Sequence, residues 1–311
     1  MKLLRLLATL PLLYFPHGID RAPTLRQAGI EQICVPPEQA SEWNKAGFKA
    51  TPMSQAELEA RTRLITPRIA LRAGVASPTR SPWIDANGWQ FLRNSAGRFY
   101  YDLPPGRAVL AAAEAFAYSA DAVLKIDPAD LAEFGRMLAF LREIPETNLP
   151  AVADFAVIDD GSSLTGEVLN LLARRNLLFR VVAEPAPQFG LTIRLGTKGY
   201  LREDAADPNA FALKVRRQLG DDKRSLRIYG SETVICRLTS DGKRTRLHLL
   251  NYSGREIEGL RVKVRGTYNK GAARVFGADR MELTDDLTTD GATEFSIPRL
   301  GIYAVVDLMT K

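Results

Sequence analysis

The feature that most constrains this 311-residue chain is a change of hydrophobic period near Ser225. Before it, short apolar runs that end in polar loops alternate with segments of helical spacing. After it, apolar residues recur at every second position, as in 233–238, 245–250, 260–264 and 301–306. Turn residues such as Ser240-Asp241-Gly242 and Ser253-Gly254 separate these runs. Alternation of strand and helix calls for a parallel sheet covered by helices. Short period-two strands at such spacing call for an antiparallel β-sandwich. One small module is thereby excluded, and the length fits two or three compact units.

Within the first pattern, the runs 12–15, 31–35, 69–71 and 122–126 are expected strands, each leading into a polar loop. Helices are expected over 22–28, 54–64, 106–120 and 128–142. Ser54 with Glu57 three residues later forms a capping-box signature. Leu131, Phe134, Leu138 and Leu141 put one apolar face on the helix over 128–142. The Pro-bounded stretch 144–150 is a linker. Beyond it, a strand over 155–158, the turn 159–163, a helix over 164–175 and a strand over 178–182 make a βαβ unit. A helix over 208–219 follows, with Asp207 as its cap. The division expected is an α/β region over 1–150, a smaller α/β domain over 151–224 and a β-sandwich over 225–311.

The N-terminus carries Lys2 and Arg5 ahead of the apolar run 6–15, which has the charge and length of a signal-peptide core and is too short to span a bilayer. No small-x-small cleavage pattern follows it. Residues 12–15 read equally well as a buried first strand, so secretion or periplasmic export stands beside a cytoplasmic location. No integral membrane span is expected.

Composition removes several chemistries. Two cysteines, Cys34 and Cys236, give neither a disulfide scaffold nor a thiolate zinc site, and two histidines, His17 and His248, leave little for His-ligated metal; no metal and no cofactor is expected. The 42 basic and 36 acidic residues are interspersed, without the basic stripe that nucleic acid favours, so no nucleic-acid partner is expected. There is no G-x-S-x-G elbow, no phosphate loop and no dinucleotide fingerprint. The turn Asp159-Asp160-Gly161-Ser162-Ser163 precedes a helix N-terminus, and Asp160 or Ser162 is read as its cap in preference to a ligand group. His248, between Leu247 and Leu249, is read as a face residue of a strand.

What remains is carboxylates after strands, where α/β folds concentrate their active sites. Asp20, Glu38, Asp85 and Asp127 lie in or beside such loops and are the candidate catalytic acids: two of them, brought together, would supply the acid and the nucleophile or base of glycosidic cleavage. For each alone, a solvated or helix-capping role is the plainer reading. The loop 77–89 combines Arg80, Trp83, Asn87 and Trp89, pairing flat apolar faces with planar hydrogen-bonding groups as sugar sites do; the same tryptophans also read as plugs on the core. Tyr101, in the run Phe99-Tyr100-Tyr101-Asp102, would extend an aromatic wall or belong to an edge strand. Carbohydrate is the expected partner.

This order of parts resembles multidomain glycoside hydrolases in which a TIM barrel is followed by a glutamine-amidotransferase-like domain and a sandwich. The segments carrying the resemblance are Phe155-Ala156-Val157-Ile158-Asp159-Asp160 with its helix, Asp207-Pro208-Asn209-Ala210-Phe211, and Leu247-His248-Leu249-Leu250-Asn251-Tyr252-Ser253. It implies an α/β plus all-β fold: a truncated TIM-barrel-like region, a flavodoxin-like or amidotransferase-like βαβ domain and a C-terminal antiparallel β-sandwich. The barrel region is short, since about 250 residues are typical of eight strands. No Asn-Glu pair stands at the end of a fourth strand, and the amidotransferase-like turn holds no thiol, so neither catalytic acids nor glutaminase activity carries over. Two functions follow: a hydrolase using a carboxylate pair, or a catalytically silent carbohydrate-binding or assembly module. A role of the later domains in homo-oligomer formation is a third reading.

Overall fold

The computed structural model describes residues 10–70, 83–269 and 271–311. Residues 1–9, with Lys2 and Arg5 of the export reading, and Arg80 of the candidate sugar loop lie outside them. The chain divides into two compact units, residues 1–67 with 94–148, and residues 68–93 with 149–311.

The first unit is built on a six-stranded, wholly parallel sheet: β1 (Leu12–Tyr14), β2 (Gln32–Val35), β3 (Lys49–Pro52), β4 (Thr62–Arg63), β7 (Arg98–Asp102) and β8 (Asp121–Lys125). Their spatial order is β3-β2-β1-β8-β7-β4. The order follows the chain round a circuit, with the last strand beside the first and with β3 and β4 as the two edges. Helices α1 (Ala22–Gln27), α2 (Ala40–Lys45), α3 (Gln55–Glu59), α5 (Ala108–Ala117) and α6 (Leu131–Glu143) intervene or follow. Strand alternation divides the side chains between two faces. Phe99 and Tyr101 point to one side, where the Tyr101 hydroxyl donates to buried Glu114 Oε2 of α5 at 2.7 Å. Tyr14, Cys34, Met53, Leu58, Tyr100 and Val123 pack together on the other. Gly135 of α6 lies so close to α1 that a Cβ there would stand 1.8 Å from the Ala28 carbonyl oxygen; only glycine fits.

The sequence anticipated β1, β2, β8, α1, α5 and α6, but not α2, β3 or β4, and two of its expected elements differ. The capping box at Ser54 is formed, Glu57 N donating to Ser54 Oγ and Ser54 N to Glu57 Oε2, but its helix ends at Glu59. The chain is extended by Thr62, because Arg61 is buried and donates to Asp121 Oδ1 at 2.8 Å, drawing the backbone beside β7. The run at 69–71 is not a parallel strand: β5 (Arg68–Ala70) pairs antiparallel with β6 (Trp83–Asp85), and this hairpin, with α4 (Gly88–Arg93), groups with the second unit.

In the second unit, β9 (Phe155–Ile158) lies between parallel β10 (Phe179–Val182) and β11 (Thr192–Ile193). Helices α7 (Ser163–Arg174) and α8 (Pro208–Leu219) share a core with them, built on Phe155, Leu169, Leu172, Phe179 and Phe211. The remainder is two antiparallel sheets. One runs β12 (Leu226–Tyr229), β15 (Ile257–Arg265), β19 (Ala292–Leu300) and β18 (Thr284–Thr289). The other runs β13 (Val234–Ser240), β14 (Arg244–Asn251), β20 (Tyr303–Met309), β16 (Ala272–Val275) and β17 (Met281–Glu282). Alternate residues of both, among them Val262, Phe295, Leu249 and Val306, form one buried cluster, as period-two patterning requires of sheets sharing a core. Each such side chain contributes roughly 1.5–3 kcal/mol on burial. His248 is buried on β14, its Nδ1 2.7 Å from the Tyr303 hydroxyl.

Candidate functional site

Active sites on parallel sheets form beyond the C-terminal ends of the strands, where loops diverge. In the first unit four strands end on chemistry-bearing side chains: Tyr14 on β1, Arg63 on β4, Asp102 on β7 and Lys125 on β8. Register places Asp102 opposite Lys125 and Tyr100 opposite Arg63. Asp102 is held between Arg63 Nη2 at 3.4 Å and Lys125 Nζ at 3.5 Å. These are exposed pairs, with side-chain exposures of 72% for Arg63, 44% for Lys125 and 37% for Asp102, so each is worth at most about 1 kcal/mol. Their polar atoms can therefore exchange partners at little cost.

Tyr14 and Tyr100, on the same sheet face as this trio, are buried in one cluster. Burial raises the Tyr14 pKa, with the charge of nearby Glu38 adding to it. Burial, then the charge of Asp102, pushes Tyr100 up to about 12. Both phenols thus stay protonated as hydrogen-bond donors. Cys34 lies in the same cluster, and burial raises its thiol to about 11, which removes it as a nucleophile at neutral pH.

The acids expected from the sequence are only partly gathered. Asp20 and Glu38 occupy exposed 3-10 turns after β1 and β2, Asp20 beside Arg21 at 3.6 Å. Asp127 follows β8 and caps the next turn, accepting from Ala129 N at 2.9 Å. Asp85 belongs to the other unit, where it accepts from Trp83 Nε1 and Arg68 Nε, both at 3.2 Å. Of the sugar-loop residues, Trp83 has the Arg174 guanidinium 3.7 Å over its ring. Asn87 is fully buried and accepts from Gln90 Nε2 at 3.1 Å. Trp89 packs on α7, within 3.0 Å of where a Cβ on Gly166 would sit. Tyr101, expected in an aromatic wall or an edge strand, is instead core in a strand flanked by β4 and β8: alternation turns it toward α5 and gives the opposite face to Tyr100.

A second strand-to-helix turn, after β9, is already closed. Ser162 caps α7, accepting from Thr165 N at 3.2 Å. Asp159 receives Arg93 Nε and Nη2, both at 2.8 Å. Asp160 receives Ser162 Oγ, Thr165 Oγ1 and Arg202 Nη2, each at 2.6 Å, and these bonds hold its carboxyl far below the usual range, Ser162 contributing most. Among the described residues, no group of three His, Cys, Asp or Glu is arranged to hold a metal ion.

Sequence reasoning missed Arg63, Asp102 and Lys125. The signal was present: each is the last residue of a strand and falls on the Tyr100 face, opposite Phe99 and Tyr101. Reading it required strand ends located to one residue, finer than local pattern provides.

No family model matches the chain, and no curated protein matches it. Solved structures do. α-L-fucosidase isoenzyme 2 from Paenibacillus thiaminolyticus superposes with a TM-score of 0.56 at 10% identity, over 72% of this chain and 62% of that one. A GH42 β-galactosidase from G. stearothermophilus gives 0.42 at 8% identity, over 80% and 63%. The β-galactosidase of Rahnella sp. R3 gives 0.37 at 10% identity, over 70% and 61%. The chain thus spans about three fifths of the length of these enzymes. It has a glycoside hydrolase-like multidomain fold, mixed α/β with a parallel sheet and antiparallel sheets.

Proposed function

We propose that this protein binds carbohydrate at the C-terminal rim of its parallel sheet, and that it is a glycoside hydrolase-like module that holds a glycan without cleaving it. The reading takes the sheet as an arc of a TIM-like barrel, the small α/β layer as amidotransferase-like and the antiparallel sheets as a sandwich. The observation that carries it is the rim itself: protonated Tyr14 and Tyr100 on the same sheet face as the exposed Arg63-Asp102-Lys125 trio. A carboxylate accepts from vicinal hydroxyls, and the two cations donate to ring and hydroxyl oxygens, while a protonated phenol can donate as well.

Binding is favoured over cleavage by the state of the acids. Glycosidic cleavage uses an acid kept protonated in a desolvated pocket opposite a second carboxylate. Asp20 and Glu38 are exposed, Asp127 serves as a cap, and Asp85 is engaged by Trp83 and Arg68 in the other unit. The likeness to an α-L-fucosidase supports a sugar ligand. Export, read from Lys2, Arg5 and the apolar run, belongs to the same proposal; it requires processing upstream of Leu12, because β1 is central in the sheet.

The test is a glycan array probed with the full chain, run beside a reducing-end assay on the glycans that bind. Retention without new reducing ends is expected. New reducing ends that vanish in Glu38→Gln would establish the hydrolase instead, and no retention on any glycan would end the carbohydrate reading.

A further inference from the structure

The second unit contains a cavity of about 420 Å³ that the rim has no part in. It lies between the C-terminal end of α7, helix α8 and strand β12, and its size suits a small-molecule ligand. Five arginines are among its lining residues, Arg174, Arg175, Arg216, Arg224 and Arg227. Two acids, Asp221 and Glu232, are also in the lining, leaving a formal excess of three positive charges from five arginines and two acids.

Part of this charge is spent internally. Arg216 makes a two-pronged pair with Asp221, at 2.8 and 2.6 Å. Arg175 stands 3.5 Å from Glu232 and donates to Asn209. Arg174 covers the Trp83 ring. Arg224 is different. Its side chain is 7% exposed, its links to Asp221 Oδ1 and the Asn176 carbonyl are long, at 3.3 and 3.4 Å, and its buried Nε has no hydrogen-bond partner among the described residues. Burial, together with the charges of Arg216 and Arg227, works against its ionised form. A buried, underpartnered guanidinium among like charges is costly unless an anion completes it. The lining also includes apolar Leu213, Ile228 and Tyr229, with Leu213 43% and Tyr229 41% exposed.

We propose that this cavity binds the acidic group of a charged saccharide, a carboxylate or sulfate ester, with Arg224 and Arg227 on the anion and the sugar ring against Tyr229. Guanidinium forks match the planar or tetrahedral oxyanion. The aromatic and aliphatic lining residues match the C–H face of a ring and have no use for an inorganic ion. The saccharide half of the inference rests on the carbohydrate reading above; the oxyanion half does not.

The test is calorimetric titration of the full chain with a uronate disaccharide, a sulfated disaccharide, their neutral counterparts, sodium sulfate and a short single-stranded oligonucleotide. At least one acidic disaccharide is expected to bind, its neutral counterpart at least about tenfold more weakly, and sulfate to compete only weakly. Arg227→Ala, at a partly exposed position, is expected to weaken acidic binding about tenfold, the loss of one charge-assisted contact. Arg224→Gln is expected to weaken it further, and thermal melting of both variants distinguishes lost binding from lost folding. Equal binding of sulfate and the acidic disaccharides, tighter binding of the oligonucleotide, unchanged binding by Arg227→Ala, or binding of neither acidic disaccharide would each overturn the proposal. Acidic binding that survives Asp102→Ala while no neutral glycan is retained would sink the rim reading and leave this one standing.

Discussion

Asp102 at the end of β7 and Asp160 just beyond β9 occupy the same kind of position, yet they are opposites. Around Asp102 the partners are exposed and loosely held, at 3.4 and 3.5 Å. Around Asp160, three side-chain donors and the Ser162 N–H converge at 2.6 to 3.0 Å. Asp159 beside it is equally engaged: burial pushes its pKa up, but the Arg93 and Gly161 hydrogen bonds outweigh that and hold it below the usual value. A carboxylate after a strand therefore does not mark a site. What marks one is hydrogen-bonding capacity that the fold has not already used.

If that contrast is right, substitutions in the closed turn cost stability and substitutions at the rim cost binding. The largest stability effect is expected for Arg93→Ala, which leaves a half-buried Asp159 without its two-pronged partner. About 2 to 3 kcal/mol should be lost in denaturant unfolding, and a loss below about 0.5 kcal/mol would break the contrast.

Next comes the acid side of the second unit. Burial, with Arg246 and Arg237 nearby, lowers the His248 pKa well below its ordinary value. The unfolded chain then takes up a proton near pH 6.5 that the folded chain refuses, so stability is full above that pH and falls below it. The expected slope is about 1.4 kcal/mol per pH unit, and His248→Gln should flatten it.

Asp160→Asn should cost about 1 kcal/mol at pH 7, the worth of a charged helix-terminus interaction. With the folded pKa depressed, that contribution is full above the unfolded value near 3.9 and is lost as pH falls from there toward the folded pKa. The gap between the two proteins should therefore narrow below about pH 4; a constant gap would mean that charge has no part in it. Asp102→Asn should change stability least, within about 0.5 kcal/mol, and sharpen the contrast by removing glycan binding.

Much of the fold was legible because it is written in local pattern. The helix over 208–219 and the period-two strands after Ser225 need only spacing and caps, and Ser54 with Glu57 forms the box its sequence announces. The partnering of Ala70 with Trp83 was not legible, since nothing local distinguishes a strand that pairs across a hairpin from one that joins a parallel sheet. The site was harder still. Asp20, Glu38, Asp85 and Asp127 were visible as acids after strands, but whether an acid is engaged depends on groups distant in sequence, as Arg68 is from Asp85. The trio of Arg63, Asp102 and Lys125 is assembled wholly by register between strands 20 or more residues apart.

The most direct test of the rim is titration of the wild-type chain and the double variant Tyr100→Phe with Asp102→Ala against one neutral glycan retained on the array, with reducing ends followed in the same samples. Saturable binding by the wild type is expected, with loss of at least about tenfold in the variant at unchanged melting temperature, and no reducing ends from either. Equal binding by both proteins, or hydrolysis by the wild type, would contradict binding without cleavage at the rim.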